Sequence, residues 1–155
     1  MRATVDARFG KVGKQRIKDT GPLTRKRMET VDDEVTAEAL RFMADAAKSD
    51  KPFFLEHAFM KVHTDNYAHP DFKGMSASKY PFKDALCEVD REIGLIVKAL
   101  GDAGVLENTF IFVTSDNGPL YDKLGGTDTD FFNSAGGLRG RKGAFYEGGF
   151  REPCL

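Results

Sequence analysis

The chain has 155 residues, of which 23 are Lys or Arg and 24 are Asp or Glu, so its formal net charge is −1. This length allows one domain with a hydrophobic core, or part of a larger one, and the balanced charge gives no electrostatic reason to expect a nucleic-acid partner. No apolar run approaches the roughly 18–20 residues that cross a bilayer, and residues 1–10 lack the apolar centre of a secretory signal. Cys87 and Cys154 are too few for a disulfide framework or a cysteine-type zinc site.

The first clear element is a helix that begins at Val31. Residues 1–24 show no clear period and predict irregular chain. From Val31 onwards, apolar residues recur at steps of three and four, which predicts an amphipathic helix. Thr30 is the expected N-cap, and three acidic residues fill the first turn, where the helix dipole favours them. We expect this helix to end before Pro52, which biases the preceding residue away from helical geometry.

A second element follows directly after Pro52. Residues 53–60 are mostly apolar and predict a buried strand. This strand leads into a polar stretch that contains His63. Residues 66–80 then predict a long loop, and long loops at strand ends are often functional.

Residues 81–101 carry the clearest helical pattern in the chain. Pro81 suits the first helical position, and Gly101 or Gly104 suits the end. The apolar positions are expected to form one continuous face of the helix: Phe82, Leu86, Val89, Ile93, Ile96 and Leu100.

Residues 109–114 predict a strand that is apolar on both faces, as in the centre of a parallel sheet. Strand, helix and strand together predict a right-handed crossover that makes residues 53–60 and 109–114 parallel. The second strand ends in Asp116 and Asn117, whose oxygen atoms suit Ca²⁺ or Mg²⁺. A plain turn is the alternative, because Asp, Asn, Gly and Pro are the usual turn residues. Parallel strands would bring these residues and His63 to the same sheet edge.

A glycine-rich basic stretch occupies residues 136–149. Its glycines let the backbone approach a ligand closely, and Arg139, Arg141 and Lys142 place cations among them. Amide, guanidinium and ammonium groups together suit an oxyanion such as sulfate or phosphate. The alternative is a solvated loop with incidental charge.

Four segments of the chain resemble sulfatases of the alkaline-phosphatase-like superfamily. They are DTGPLTRKRMETVDDE at residues 19–34, FMKVHTD at 59–65, TSDNGP at 114–119 and GGLRGRKGAFYEGGFREP at 136–153. The resemblance implies an α/β fold with a mainly parallel sheet flanked by helices, here incomplete. It also implies that residues 1–155 are one partial catalytic domain of an arylsulfatase-like sulfuric ester hydrolase.

The resemblance assigns roles to four residues. Asp116 and Asn117 match the pair that ligates the active-site Ca²⁺, and Lys142 matches the lysine that binds the substrate sulfate. His63 matches the histidine of the family's His-Thr-Pro segment, which also contacts the sulfate. In this chain Asp65 stands in place of the proline.

Two other histidines compete with His63 for this role, His57 and His69. His57 is the weaker rival, because it lies within an apolar run and suits a core histidine better.

The resemblance also implies a formylglycine nucleophile, which the family makes from Cys or Ser in a C/S-x-P-x-R segment. Neither Cys87 nor Cys154 stands in such a segment. The family's early pair of aspartate metal ligands and its Gly-Lys-x-x-x-Gly segment do not occur in this sequence either. We therefore expect a fragment of a longer enzyme that is inactive in isolation, binds Ca²⁺ weakly at best and exposes apolar surface.

The expected substrate is a small-molecule or glycan sulfate ester, and the resemblance implies a periplasmic or extracellular enzyme. Two alternatives stay open. The parent could be a related phosphodiester or phosphonate hydrolase of the same superfamily. The chain could also be a non-catalytic module that binds Ca²⁺ or an anion.

Overall fold

The computed structural model describes residues 2–6, 10–15, 19–49, 51–121, 123 and 127–155. None of the helices in this part of the chain is long and apolar enough to cross a membrane. The elements in chain order are the strands β1 (Arg2–Asp6) and β2 (Gly10–Gln15), the helices α1 (Arg25–Met28) and α2 (Val31–Ala46), a 3₁₀ turn at Pro70–Phe72, the helix α3 (Pro81–Asp102), a 3₁₀ turn at Leu106–Asn108 and the helix α4 (Glu147–Phe150).

The beginning of the chain differs from the prediction of irregular structure. β1 and β2 form an antiparallel pair in which Arg2 lies opposite Gln15 and Asp6 lies opposite Gly10. A hairpin of this kind is held by backbone hydrogen bonds between its two strands. It therefore forms without a repeating pattern of apolar residues, and apolar periodicity does not predict it.

The two long helices confirm the sequence prediction. α2 begins at Val31 after Thr30, although the Thr30 side chain makes no capping hydrogen bond. α3 begins with Pro81 at its first position and runs to Asp102, so Gly101, the first predicted end, lies inside the helix. Gly104, the second predicted end, has a φ of +71° and follows the helix. A positive φ directly after a helix is the geometry for which glycine is favoured.

The apolar face of α3 is not its most buried face. The residues of α3 that are withdrawn from solvent are Asp84, Ala85, Glu88, Glu92 and Leu100, whereas the predicted apolar residues other than Leu100 are only half-buried. Asp84 and Glu88 take the inner face because they accept hydrogen bonds from backbone N–H groups of the neighbouring loop, as described below, whereas Glu92 pairs with Arg91. A buried carboxylate that is fully hydrogen-bonded is tolerated where an unpaired one is not.

A small apolar cluster lies beside this polar face. Ala68, Phe72 and Ala85 are buried together, and Val62 and Cys87 pack against them. Cys87 thus has the packing role expected of a small hydrophobe within a helix. Cys154 is exposed.

The structure does not confirm the predicted parallel sheet. Residues 53–60 alternate between half-buried and exposed positions, as an extended chain does, but no ladder joins them to residues 109–114 in the described ranges. Instead, Val113 and Leu155 exchange two backbone hydrogen bonds of 3.0 Å in an antiparallel bridge. A strand requires hydrogen-bonded neighbours, and the described residues offer these two segments almost none.

Large aromatic side chains lie on the surface, in agreement with the expectation that the chain exposes apolar surface. Phe54 is 86%, Phe110 80% and Phe145 91% exposed. These values are far above those usual for phenylalanine in a folded protein. The largest fully buried side chains are instead Glu88, Glu92, Thr36 and Asp32.

Candidate active site

Lys142 and His63 meet although 79 residues separate them in the sequence. The Lys142 Nζ atom lies 3.2 Å from the His63 Nε2 atom. His63 is exposed and Lys142 is half-buried, so the pair is open to a ligand from solvent. The Lys142 ammonium is suited to an anion, and the His63 imidazole would donate to one when its Nε2 atom carries a hydrogen.

Backbone hydrogen bonds hold Lys142 beside the turn that carries Asp116 and Asn117. The Lys142 N–H donates to the Pro119 carbonyl at 2.9 Å, and the Gly118 N–H donates to the Gly149 carbonyl at 3.2 Å. The glycine-rich stretch is thereby attached to the end of the 109–114 segment at two points. The predicted cation and the predicted metal ligands therefore lie on neighbouring pieces of chain.

Two glycines make this attachment possible. A Cβ atom on Gly118 would lie 2.0 Å from the Gly148 carbonyl oxygen, and a Cβ atom on Gly148 would lie 2.1 Å from the Gly140 carbonyl oxygen. Both contacts are with backbone atoms, which cannot turn away as a side chain can. The backbones approach this closely only because neither residue has a side chain.

The hydrogen bonds of His63 determine its tautomer. Its Nδ1 atom lies 2.7 Å from the Thr64 carbonyl oxygen. A carbonyl oxygen only accepts, so Nδ1 carries the hydrogen. The Nε2 lone pair then accepts from the Lys142 ammonium, which only donates.

The segment that carries His63 is anchored by buried charged residues that sequence reasoning missed as part of the site. Asp32 accepts from the Met60 N–H at 2.7 Å and from the Lys61 N–H at 3.2 Å. The Lys61 ammonium reaches Glu88 at 2.6 Å. Two features of the sequence could have indicated this anchor. One is a lysine directly after an apolar run, and the other is the presence of acidic residues within helical patterns.

Asp116 and Asn117 offer oxygen atoms of the kind that Ca²⁺ prefers. Asp116 is exposed, and its carboxylate accepts no hydrogen bond from any residue that the structure describes. The Asn117 Nδ2 atom donates to the Gly118 carbonyl at 3.0 Å, which leaves the amide oxygen available.

Glu152 adds a second carboxylate close to Asp116. Its Oε1 atom is buried without a hydrogen-bond partner in the described part of the chain. Burial raises the pKa of the Glu152 carboxyl, and the negative charge of Asp116 raises this pKa further. An unpaired buried oxygen beside a second carboxylate is the environment that a cation would stabilise.

The chemistry of these donors fits Ca²⁺, but they form only part of a coordination shell. Ca²⁺ usually takes about six to eight oxygen ligands. Among the residues that the structure describes, no group of three or more His, Cys, Asp or Glu side chains is arranged to hold a metal ion.

The two arginines of the glycine-rich stretch already have partners within the protein, so their binding of an anion together with Lys142 stays a prediction. Arg139 stacks on the Tyr146 ring at 3.8 Å and donates to the Tyr146 hydroxyl at 2.7 Å. Arg141 pairs with Asp130 and donates to the Tyr121 carbonyl at 3.0 Å. The arginines therefore brace the loop.

The two rival histidines have other partners. The His57 Nε2 atom lies 3.3 Å from the Thr36 hydroxyl, and burial lowers the pKa of His57, against a smaller opposing effect of the Asp32 charge. His69 accepts the Asp71 N–H at 3.2 Å and caps the 3₁₀ turn. In the part of the chain that the structure describes, neither forms a hydrogen bond with Lys142, whereas His63 does.

Comparisons with known proteins identify the family of the chain. A family-wide sequence profile described as Sulfatase matches residues 7–155. Human arylsulfatase A is 41% identical over 119 residues, which are 73% of this chain and 21% of that protein. Mouse steryl-sulfatase is 36% identical over 141 residues, which are 91% of this chain and 21% of that protein.

A solved structure shows the same relationship. The crystal structure of the PsFucS1 sulfatase from Pseudoalteromonas sp. superimposes with a TM-score of 0.78 at 36% identity, covering 94% of this chain and 28% of that one. This neighbour supports the alkaline-phosphatase-like fold. The chain spans about a fifth of the length of the curated relatives. Because the family profile covers nearly all of its residues, the chain belongs to the sulfatase family of sulfuric ester hydrolases.

Proposed function

We propose that this chain provides the sulfate-binding and calcium-binding part of a catalytic centre that hydrolyses sulfate esters. In this proposal, His63 and Lys142 bind the sulfate group, and Asp116 and Asn117 bind Ca²⁺. Membership of the sulfatase family supports the reaction class. The single observation that carries the assignment of residues is the 3.2 Å contact between the Lys142 Nζ atom and the His63 Nε2 atom.

The chemistry of the pair suits a sulfate ester. The Lys142 ammonium has three donor hydrogens, and only one of them is needed for the contact with His63. The others can be donated to sulfate oxygens, where a charge-assisted hydrogen bond is stronger than a neutral one. Lys142 would therefore compensate the negative charge of the bound sulfate throughout the reaction.

His63 can act on the alcohol that leaves. The Thr64 carbonyl holds the Nδ1 hydrogen and so directs the Nε2 atom towards the ligand side. Protonation at Nε2 would turn this atom from an acceptor into a donor. It could then donate a hydrogen bond or a proton to the oxygen of the departing alcohol.

Asp116 and Asn117 would hold the metal on the turn to which the Lys142 backbone is hydrogen-bonded. Bound Ca²⁺ would add positive charge that stabilises the sulfate oxygens. The buried, unpaired oxygen of Glu152 beside Asp116 supports a cation at this place. The chain itself contributes one carboxylate and one amide from the pair, so we expect weak Ca²⁺ binding by the chain alone.

The nucleophile would be a formylglycine, which supplies the atom that attacks sulfur. No C-x-P-x-R or S-x-P-x-R segment occurs in the 155 residues. Loss of a covalent nucleophile typically costs many orders of magnitude in rate. We therefore expect the chain by itself to bind sulfate without turning over an aryl sulfate.

The test is a titration of the ¹⁵N-labelled chain with inorganic sulfate, followed by NMR, together with a turnover assay on 4-nitrophenyl sulfate. Sulfate should shift the His63 signals, and Lys142→Met should abolish these shifts. Lys73→Met is the matched control, because Lys73 is an exposed lysine that pairs with Glu29. Equal sulfate binding by Lys142→Met would overturn the proposal. Turnover that Lys142→Met abolishes would overturn the expectation that the chain is inactive by itself.

A further inference from the structure

We propose that Asp32, Lys61 and Glu88 are positioning residues that hold His63 against Lys142, and that sulfate affinity therefore depends on this buried charged cluster. The inference rests on the function proposed above, and it assigns a role at that site to three residues that touch neither substrate nor metal. The cluster joins α2, the His63 segment and α3.

The cluster is almost completely removed from solvent. Asp32 is 1%, Lys61 7% and Glu88 0% exposed. The Lys61 ammonium lies 2.6 Å from the Glu88 Oε1 atom and 3.3 Å from the Asp32 Oδ2 atom. Charged groups are costly to bury, and each must be paired and hydrogen-bonded to be tolerated.

The remaining hydrogen bonds of the two carboxylates all reach the backbone of one loop. Asp32 accepts from the N–H groups of Met60 and Lys61. Glu88 accepts from the His69 N–H at 2.8 Å through its second oxygen. The cluster therefore holds the backbone by hydrogen bonds both before and after His63.

One further hydrogen bond connects the cluster to His63 itself. The His63 N–H donates to the Met60 carbonyl at 3.1 Å, and the Met60 N–H is held by Asp32 at 2.7 Å. Any rotation of Met60 would therefore turn His63. The His63 side chain is exposed and is held only by Thr64 and Lys142 in the described structure, so its position depends on this backbone anchor.

Stability alone gives no reason for such a cluster. Well-packed apolar residues in place of a buried ion pair are often as stable or more stable. What a cluster of charges provides is direction, since each carboxylate oxygen faces particular donors at fixed positions. A loop that carries a ligand-binding side chain needs this directional anchoring, because small displacements weaken a charged contact.

The test uses Glu88→Gln in the full 155-residue chain. The two oxygens of Glu88 serve two donors, the Lys61 ammonium and the His69 N–H. Glutamine has one oxygen, so one of these donors must face an NH₂ group whichever way the amide turns. We expect the ¹⁵N signals of the His63 ring to lose the pattern of the single Nδ1–H tautomer, and sulfate affinity to fall about three- to thirtyfold.

Asp84→Asn is the matched control. Asp84 is also buried, lies one turn earlier on α3, and accepts from Gly74 N, Ser76 N and Ser76 Oγ. Its replacement creates the same kind of unpaired donor, but in the 74–76 loop. Asp84→Asn should lower stability and leave the His63 ring signals and the sulfate affinity as in the wild type.

A double-mutant cycle separates positioning from a general loss of structure. If Glu88 acts through His63, Glu88→Gln should cause no further loss of sulfate affinity in a His63→Ala background. If Glu88→Gln does not fold, Glu88→Asp keeps both oxygens and should give a partial loss that follows the same cycle. Unchanged His63 signals, or an equal loss of affinity with and without His63, would overturn the inference.

The outcome also distinguishes this inference from the proposed function. If the wild-type chain does not bind sulfate, the proposed function fails, and the ring signals of His63 in Glu88→Gln still decide whether the cluster positions this side chain. If sulfate binds and Glu88→Gln changes neither readout, only the positioning role is wrong.

Discussion

The close backbone contact at Gly148 can be tested by adding a single methyl group. Gly148 is the second residue of α4, is buried, and donates its N–H to the Arg139 carbonyl at 2.8 Å. In Gly148→Ala the new Cβ atom would lie 2.1 Å from the Gly140 carbonyl oxygen and 2.9 Å from the Arg139 carbonyl oxygen. The backbone must retreat by on the order of 1 Å, because interiors are close-packed.

The expected cost follows from these contacts. Overpacking of this kind typically costs about 1–3 kcal/mol. The retreat also weakens the hydrogen bond between Gly148 and Arg139, which adds about 1 kcal/mol. We therefore expect Gly148→Ala to lower the free energy of unfolding by about 2–4 kcal/mol. Because Lys142 lies in the displaced stretch, sulfate binding should weaken as well.

The measurement is urea unfolding followed by far-ultraviolet circular dichroism. Gly94→Ala is the control, since Gly94 lies inside α3 and a Cβ atom there would meet no atom within 4 Å. This variant should be more stable by about 0.5–1 kcal/mol, because alanine favours the helix. If Gly148→Ala unfolds within about 0.5 kcal/mol of the wild type, the close packing of the glycine-rich stretch has been misjudged.

Two further predictions concern ionisable side chains. Hydrogen bonds from Lys26 and then Lys73 lower the pKa of Glu29 to about 2, so their contribution to stability is present above the unfolded pKa of about 4.3 and is lost as the pH falls towards 2. In the double variant Lys26→Met/Lys73→Met, the pKa of Glu29 should rise towards its ordinary value, as measured by an NMR titration. An unchanged pKa would contradict the pairing of Glu29 with these two lysines. Burial raises the pKa of Glu92, so its ionisation costs the folded state stability as the pH rises above about 4.3. The urea midpoint of Glu92→Gln relative to the wild type should therefore increase between about pH 4 and pH 7, whereas a difference that is constant with pH would contradict the buried site.

The sequence by itself determined the two long helices, because their start, stop and periodicity signals lie within or next to the helical segments themselves. The step of three and four that begins at Val31 and the Pro81 start of α3 were sufficient to predict both long helices. Gly104 was predicted as a stop because a positive φ after a helix favours glycine. The spaced motifs around Asn117 and Lys142 were sufficient to predict the family, which the profile over residues 7–155 confirms.

Partner choice was decided by the tertiary structure. Lys142, Arg139 and Arg141 are equivalent cations in the sequence, yet only Lys142 contacts His63, because the two arginines are held by a tyrosine and an aspartate. The assignment of catalytic and metal-binding roles to the predicted residues stays a prediction. The parallel pairing of residues 53–60 with 109–114 also stays a prediction, since strands are defined by neighbours rather than by composition.

The buried face of α3 shows most clearly what sequence alone could not decide. Apolar periodicity indicated that Phe82 and Val89 face inwards, but Glu88 is the residue with no exposed surface. Apolar periodicity indicates which face of a helix is favoured to leave water. It does not indicate which hydrogen-bond donors a distant loop will place against that helix. Lys61 and the His69 N–H supply those donors, and only the folded chain brings them to the helix.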